Sequence, residues 1–317
     1  MRSSKSVARS ALRVAGALLA LVAIAHAEPH VLTDLAVPAG DDARNAIAIG
    51  PRGEVYDPDG KGAWTRARAI TVADDVAVTG RANGVVALAN GAVYRLAENG
   101  WSALRIVQKG KAVMSSGARS VAAVGRQLFA LDKLAGGEVA KLAMAPQPVQ
   151  MIGAGTKALT IQTERGVFRN EGAGWKAVAR APRRVERLID DTWALTEQGP
   201  IDLKTGKVTP WPEGFRLGAV TPGAKNTLVI VGTSHGGAIE VVVIGGAKVS
   251  REAIAVTAED ATPLADPVGV VTDTSGRAVV AFRDGRMAIR ERGAWSVTAV
   301  VEALPSPRPG APPARSP

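Results

Sequence analysis

The sequence predicts an all-β chain: a seven-bladed β-propeller with four antiparallel strands per blade, six or eight blades being the alternatives. Three observations predict it. A Gly-Trp unit recurs at Gly62-Ala63-Trp64, Asn99-Gly100-Trp101, Gly174-Trp175 and Gly293-Ala294-Trp295, each time closing a hairpin and opening a β-type run. Trp64 and Trp101 stand 37 residues apart, and Trp101 and Trp175 stand 74 apart, twice that step. Beyond the N-terminal segment, short runs rich in Val, Ile and Thr are bounded by turns such as Asn83-Gly84, Asn90-Gly91, Thr205-Gly206 and Asp284-Gly285, with no long 3.6-residue apolar period. A period of this length built from strands alone is the mark of a propeller. One blade cannot bury both of its faces, so a ring of blades supplies the core.

The ends of the chain read differently. Arg2, Lys5, Arg9 and Arg13 precede an apolar run from Val14 to Ala25, and Ala25-His26-Ala27 forms a small-x-small cleavage site before Glu28. This is the pattern of a signal peptide over 1–27, its apolar run too short to span a bilayer. No cysteine follows it, which excludes a lipid anchor, and it holds no twin-arginine pair. The expectation is an exported protein, periplasmic or extracellular. Residues 28–303 form the propeller. Pro305, Pro307, Pro309, Pro312, Pro313 and Pro317 mark 304–317 as a disordered tail, because proline lacks the amide donor a sheet needs.

Composition narrows the chemistry. The chain holds no cysteine, so thiol nucleophiles and thiolate metal sites are excluded. Its formal charge is +10, of which four units lie in the acid-free leader, leaving +6 on the remainder. That balance permits anionic partners. The aromatic residues fall at repeat positions and not among basic clusters, so nucleic-acid binding by base stacking is not expected.

The predicted strands run in order. The first segment holds 31–37, 46–49, 54–57 and 64–70, and the second 76–79, 85–89, 92–96 and 101–107. A third, less regular, holds 120–124, 127–131 and 138–143. The fourth holds 149–153, 158–163, 166–169 and 175–179, and the fifth 185–189, 193–196, 201–203 and 208–211. The sixth holds 217–220, 228–231, 239–244 and 249–254, and the seventh 268–272, 278–282, 287–290 and 295–301. A two-sheet sandwich is the structural alternative.

The recurring Trp residues are read as wedges between blades, each burying roughly 150–250 Å². Tyr56 and Tyr94 hold equivalent repeat positions and are read as structural. The stretch from Val93 to Trp101 resembles the Asp-box repeats of sialidase-like propellers, and Val167 to Trp175 and Met287 to Trp295 are similar. The resemblance implies the fold. The Ser and Asp of that family's motif are missing from these positions, so the resemblance does not carry sialidase activity.

Two motifs imitate catalytic sites. Gly232-Thr233-Ser234-His235-Gly236 satisfies Gly-x-Ser-x-Gly, but an α/β-hydrolase elbow needs a helix next and a histidine further on. Ala238 to Gly246 is strand-like, and no histidine follows His235. A glycine-rich hairpin is expected. Asp57-Pro58-Asp59-Gly60 opens like a calcium loop, yet Lys61 and Arg68 stand where oxygen ligands belong, so a hairpin turn is expected.

Alternate turns of a four-stranded meander lie on opposite faces of the disc. Asp74-Asp75, Arg183-Arg184-Val185-Glu186-Arg187 and Glu259-Asp260 fall at blade-to-blade links, with Ser234-His235 on that same face. Asp41-Asp42, Asp190-Asp191 and the Gly-Trp turns fall on the other. Arg183, Arg184 and Arg187 are the candidate binding residues, for a carboxylate, phosphate or acidic sugar. The reading as a whole is a non-catalytic exported propeller, a monomer serving as a recognition scaffold for another protein or an anionic glycan. No cofactor, metal or nucleic acid is expected, nor a membrane span after leader cleavage. The alternatives are a hydrolase, lyase or lactonase on the same fold, and a carbohydrate-binding module.

Overall fold

The computed structural model describes residues 31–301 apart from 38, 41, 59–63, 69–76, 81, 84, 90–91, 98–99, 105, 107–109, 136–137, 247 and 256–261. The leader expected at 1–27, the tail at 304–317, Asp74-Asp75 and Glu259-Asp260 lie outside the described residues.

The chain is a β-propeller. Apart from the short pair Ala39–Gly40 with Ala82–Asn83, its described strands form seven successive antiparallel meanders. The first comprises Asp34–Ala36, Ile47–Ile49, Val55–Pro58 and Trp64–Arg68, and the second Ala77–Gly80, Val85–Ala89, Ala92–Ala97 and Gly100–Ala103. The third holds Ala112–Gly117, Val121–Val124, Gln127–Ala135 and Glu138–Lys141; the fourth holds Met151–Ala154, Leu159–Thr163, Gly166–Asn170 and Trp175–Ala177. The fifth is Arg187–Leu188, Trp193–Thr196 and Gly199–Asp202. The sixth is Arg216–Pro222, Leu228–Thr233, Ile239–Gly245 and Lys248–Ala253, and the seventh Pro267–Thr272, Ala278–Phe282, Arg286–Glu291 and Ala294–Val301. First strands touch first strands: that of the seventh meander meets those of the sixth and the first, and that of the second meets those of the first and the third. Two parallel pairings also join meanders, one between first strands and one between outermost strands. Ser115–Gly117 pairs with Ile152–Ala154, and Val300 and Val301 pair with Trp64 and Thr65.

Burial follows position in the sheet. The second strands Leu159–Thr163, Leu228–Thr233 and Ala278–Phe282 are buried along their whole length. Successive side chains point to opposite faces, and each face meets a different neighbour. Ile230 packs with Trp193 and Leu195 of the fifth meander, while Val229 and Val231 pack with Val280 and Phe282 of the seventh. A strand covered on both sides therefore reads as a continuous apolar run and not as an alternation. The outermost strand Lys248–Ala253 is exposed almost throughout.

The indoles of the outermost strands reach backward into the preceding meander. Trp101 Nε1 donates to the Gly53 carbonyl at 2.9 Å, and Trp175 Nε1 to the Met144 carbonyl at 2.9 Å. Trp295 Nε1 donates to Glu252 Oε1 at 3.0 Å. Trp64 packs against Val271, Val279 and Met287 of the seventh meander while its Nε1 donates to Ala46.

Two predicted segments are corrected. The third meander has a first strand, Ala112–Gly117, where the sequence reading placed none. It pairs with Val121–Val124 on one side and Met151–Ala154 on the other, so its backbone groups are satisfied despite weak local β propensity. In the fifth meander the outer segment 208–211 makes only the Val208–Ile201 bridge. Pro210 and Pro212 carry no donor there, and the run is held by Thr209 N to Pro200 O at 2.9 Å and Trp211 N to Gln198 O at 3.2 Å.

Candidate functional site: the channel and its basic mouth

The first strands surround a cavity of about 540 Å³, lined by residues of the first, third, fifth, sixth and seventh meanders and by Leu88 of the second. Its walls are apolar where Leu35, Val113, Val220 and Val270 face it, and Lys111, Arg187 and Asp34 supply charge. Each charged residue stands at or beside the start of a first strand. In an all-antiparallel meander those starts share one face of the disc with the second-to-third strand turns. A second hollow of about 400 Å³ adjoins it, sharing Thr33, Gly218 and Val268 and adding Arg216, Arg283 and Asp266. Four cations and two carboxylates therefore ring one mouth.

The backbone here is irregular. The pairing register shifts between Leu217 and Ala219 and again between Pro267 and Gly269. A Cβ at Gly218 would collide with Pro267, and one at Gly269 would press on Asp34 and Leu35. These glycines let neighbouring first strands approach at the channel wall.

Of the three arginines of the fifth link, one lines the channel. Arg187 opens the strand Arg187–Leu188 and lines the channel, while Leu188, pointing the other way, is buried in the core. Arg183 and Arg184 are exposed and line neither hollow. The Arg183 carbonyl accepts from Gln162 Nε2 at 2.9 Å, which ties the link to the fourth meander. Lys111, Arg216 and Arg283 were missed in the sequence because none stands in a run of arginines like that at 183–187. Their shared position at strand ends was the signal that could have found them.

Arg216 Nη2 lies 3.6 Å from Asp266 Oδ1, both side chains being more than half exposed. The Asp34 carboxylate accepts from the Leu35 amide at 2.8 Å.

The opposite face holds two ion clusters that join meanders. Arg169 Nη1 donates to the Asp191 carbonyl at 2.8 Å, with Nη2 3.2 Å from Asp191 Oδ2 and Nε 2.8 Å from Glu171 Oε1. Burial pushes the Asp191 carboxyl above its ordinary value, outweighing the Arg169 charge. The other cluster links the seventh meander to the first. Arg277 Nη1 lies 3.3 Å from Asp42 Oδ1 and 3.8 Å from Asp273 Oδ2, with Nε 2.9 Å from Glu291 Oε1. Asp273 Oδ2 also accepts the Ala43 amide at 3.3 Å. Hydrogen bonding to Arg44 pulls Asp42 down to about 2. Burial raises Asp273, but bonds from Ser275, Ala43 and Arg277 together outweigh it and leave this carboxyl lowered.

The Gly-x-Ser-x-Gly imitation is a turn. Ser234 N donates to Ala238 O at 2.8 Å and Gly237 N to Ser234 O at 2.9 Å, so Ser234-His235 sits on a hairpin with His235 exposed. Asp57 and Pro58 belong to the strand Val55–Pro58, while Asp59-Gly60 lies outside the described residues.

No family model matches the chain, and no curated protein matches it. Among solved structures it is similar to the WD40 β-propeller domain of Doa1, at 13% identity with a TM-score of 0.56, covering 84% of this chain and 94% of that one. Sqt1 of Saccharomyces cerevisiae matches at 10% identity and a TM-score of 0.49, over 86% of each chain. The Aleuria aurantia lectin matches at 12% identity and 0.43, over 90% of this chain and 100% of that one. The first of these likenesses supports the fold, and the fold alone.

Proposed function

We propose that this chain is an exported, non-catalytic β-propeller, a monomer whose seven meanders are seven blades, and that it serves as a recognition scaffold. Its partner is a protein that presents an acidic surface to the channel mouth. The observation that carries this reading is the convergence of Lys111, Arg187, Arg216 and Arg283 on one mouth, against Asp34 and Asp266. An excess of positive charge around a concave opening steers an anionic surface toward it and favours paired hydrogen bonds once it docks. Arg183 and Arg184 lie on the same link as Arg187 and widen the basic face. The leader pattern over 1–27 supports export to the periplasm or outside the cell.

The test is capture from envelope extract by the processed chain, with and without Arg187→Glu and Arg216→Glu. A partner retained by the wild type, released by moderate salt and lost in the double variant supports the reading. Equal capture by both overturns it. Retention of an acidic polysaccharide, with no protein captured, moves the reading to an anionic glycan. Export is checked separately by N-terminal sequencing of the chain recovered from its host, which should begin at Glu28.

A further inference from the structure

The channel behind the mouth has the makings of a small-molecule site. Its volume of about 540 Å³ falls within the range of roughly 300–1,000 Å³ usual for such pockets. Its chemistry is divided. Leu35, Leu88, Val113, Val220 and Val270 offer apolar wall, and Lys111 and Arg187 stand at its charged end with Asp34. Among the described residues no carboxylate lies within ion-pair distance of Lys111 or Arg187. Elsewhere Arg169, Arg277 and Arg290 hold carboxylates of neighbouring meanders, and Arg286 holds Asp284 within its own turn. Two uncommitted cations beside a hollow of mixed lining, part polar and part aliphatic, form a pattern that packing does not require.

We propose that the channel binds a small amphiphilic anion, with a carboxylate or phosphate head between Lys111 and Arg187 and an apolar body against the aliphatic wall. The head gains charge-assisted hydrogen bonds from two donors on different meanders. The body gains by leaving water. This inference rests on the partner reading only in using the same basic mouth, and it names a ligand that the partner reading does not need.

Calorimetric titration of the full processed chain with acetate, butanoate, hexanoate, octanoate and octyl phosphate tests it. Affinity is expected to rise about fourfold per added methylene, the free-energy equivalent of burying one CH₂. Lys111→Gln and Arg187→Gln should each weaken octanoate binding about tenfold, while Lys111→Arg, which keeps the charge, should retain it. Octyl phosphate outranking octanoate, or the reverse, supports the site and identifies its head group. Affinity indifferent to chain length, or unchanged in the two neutral variants, overturns the proposal. Arg283→Gln separates the two readings, because Arg283 lines only the outer hollow. That variant should keep octanoate binding and weaken capture of the macromolecular partner. Capture without any octanoate binding would sink this inference alone, and octanoate binding without capture would sink the partner reading alone.

Discussion

At the scale of single residues, the indoles of the outermost strands carry the most information. Each is announced by a preceding glycine turn; Trp101 and Trp295 place their N–H on acceptors of the meander before, and Trp175 on Met144 of the link that follows the third meander. Trp101→Ala removes both the wedge and the bond to Gly53. Large-to-small changes of this kind cost about 3–5 kcal/mol, and because Trp101 is only partly buried the low end, about 3 kcal/mol, is expected. Denaturant unfolding checks this. A change within about 0.5 kcal/mol, the scale of ordinary surface substitutions, would show that the indole does not wedge the meanders. Asp273 is the polar counterpart. Its side chain is 5% exposed and accepts amides of Ala43, Ser275 and Arg277. Asp273→Ala strands these donors and should cost about 2–3 kcal/mol by the same measurement. The arginines show the limit of reading residues in a row. Arg183, Arg184 and Arg187 look alike in sequence, and only Arg187 reaches the channel. A strand of two residues decides it, because Leu188 claims the core and forces its neighbour to the other face.

At the scale of elements, most strands were legible, since β-branched runs bounded by turn dipeptides state their own ends. The exceptions have physical causes. Ala112–Gly117 contains Ser115, Ser116 and Gly117, a local sequence that reads as loop. It is a strand because antiparallel and parallel partners flank it. Gly117 there has φ +107, and a Cβ would collide with carbonyls of Ala154 and Ile189. Gly117→Val is therefore expected to lower stability by about 2–4 kcal/mol, combining a strained dihedral with overpacking. Wild-type thermal unfolding of that variant would refute the close approach. The prolines that weaken the outer run of the fifth meander could be read from the sequence. Pro210 and Pro212 interrupt that apolar run and supply no donors, so it cannot extend the sheet.

At the scale of the whole molecule, the joint between the last meander and the first is electrostatic as well as apolar. Leu32 N donates to Arg283 O at 3.3 Å on one face, while Asp42, Asp273 and Arg277 meet on the other. The carboxyls of both aspartates are lowered on folding, Asp42 from 3.8 to about 2. A depressed folded value means the unfolded chain binds protons first as pH falls. The stabilisation is thus fully present above the ordinary carboxylate range and is lost as pH drops from about 4 toward 2. Denaturant midpoints measured across that window should fall, and fall less in Asp42→Asn, whose amide does not titrate. A pH slope identical in that variant would show that the Asp42 carboxylate, held chiefly by Arg44, contributes nothing to stability across that window. Function also belongs to this scale. Lys111, Arg187, Arg216 and Arg283 come from four meanders, and only the arrangement of first strands about a channel makes them one mouth.

By itself, the sequence determined the β class, the recurrence of the meander, the positions of the wedging indoles and the turn nature of the Gly-x-Ser-x-Gly look-alike. These follow from local period and local turn chemistry, which each stretch of chain carries within itself. Only the tertiary structure decided that the seventh meander meets the first, that a strand exists at Ala112–Gly117 and which cations share a mouth. Residues more than two hundred positions apart, such as Ala43 and Asp273, become neighbours through the packing of many apolar faces at once. No local pattern records that sum.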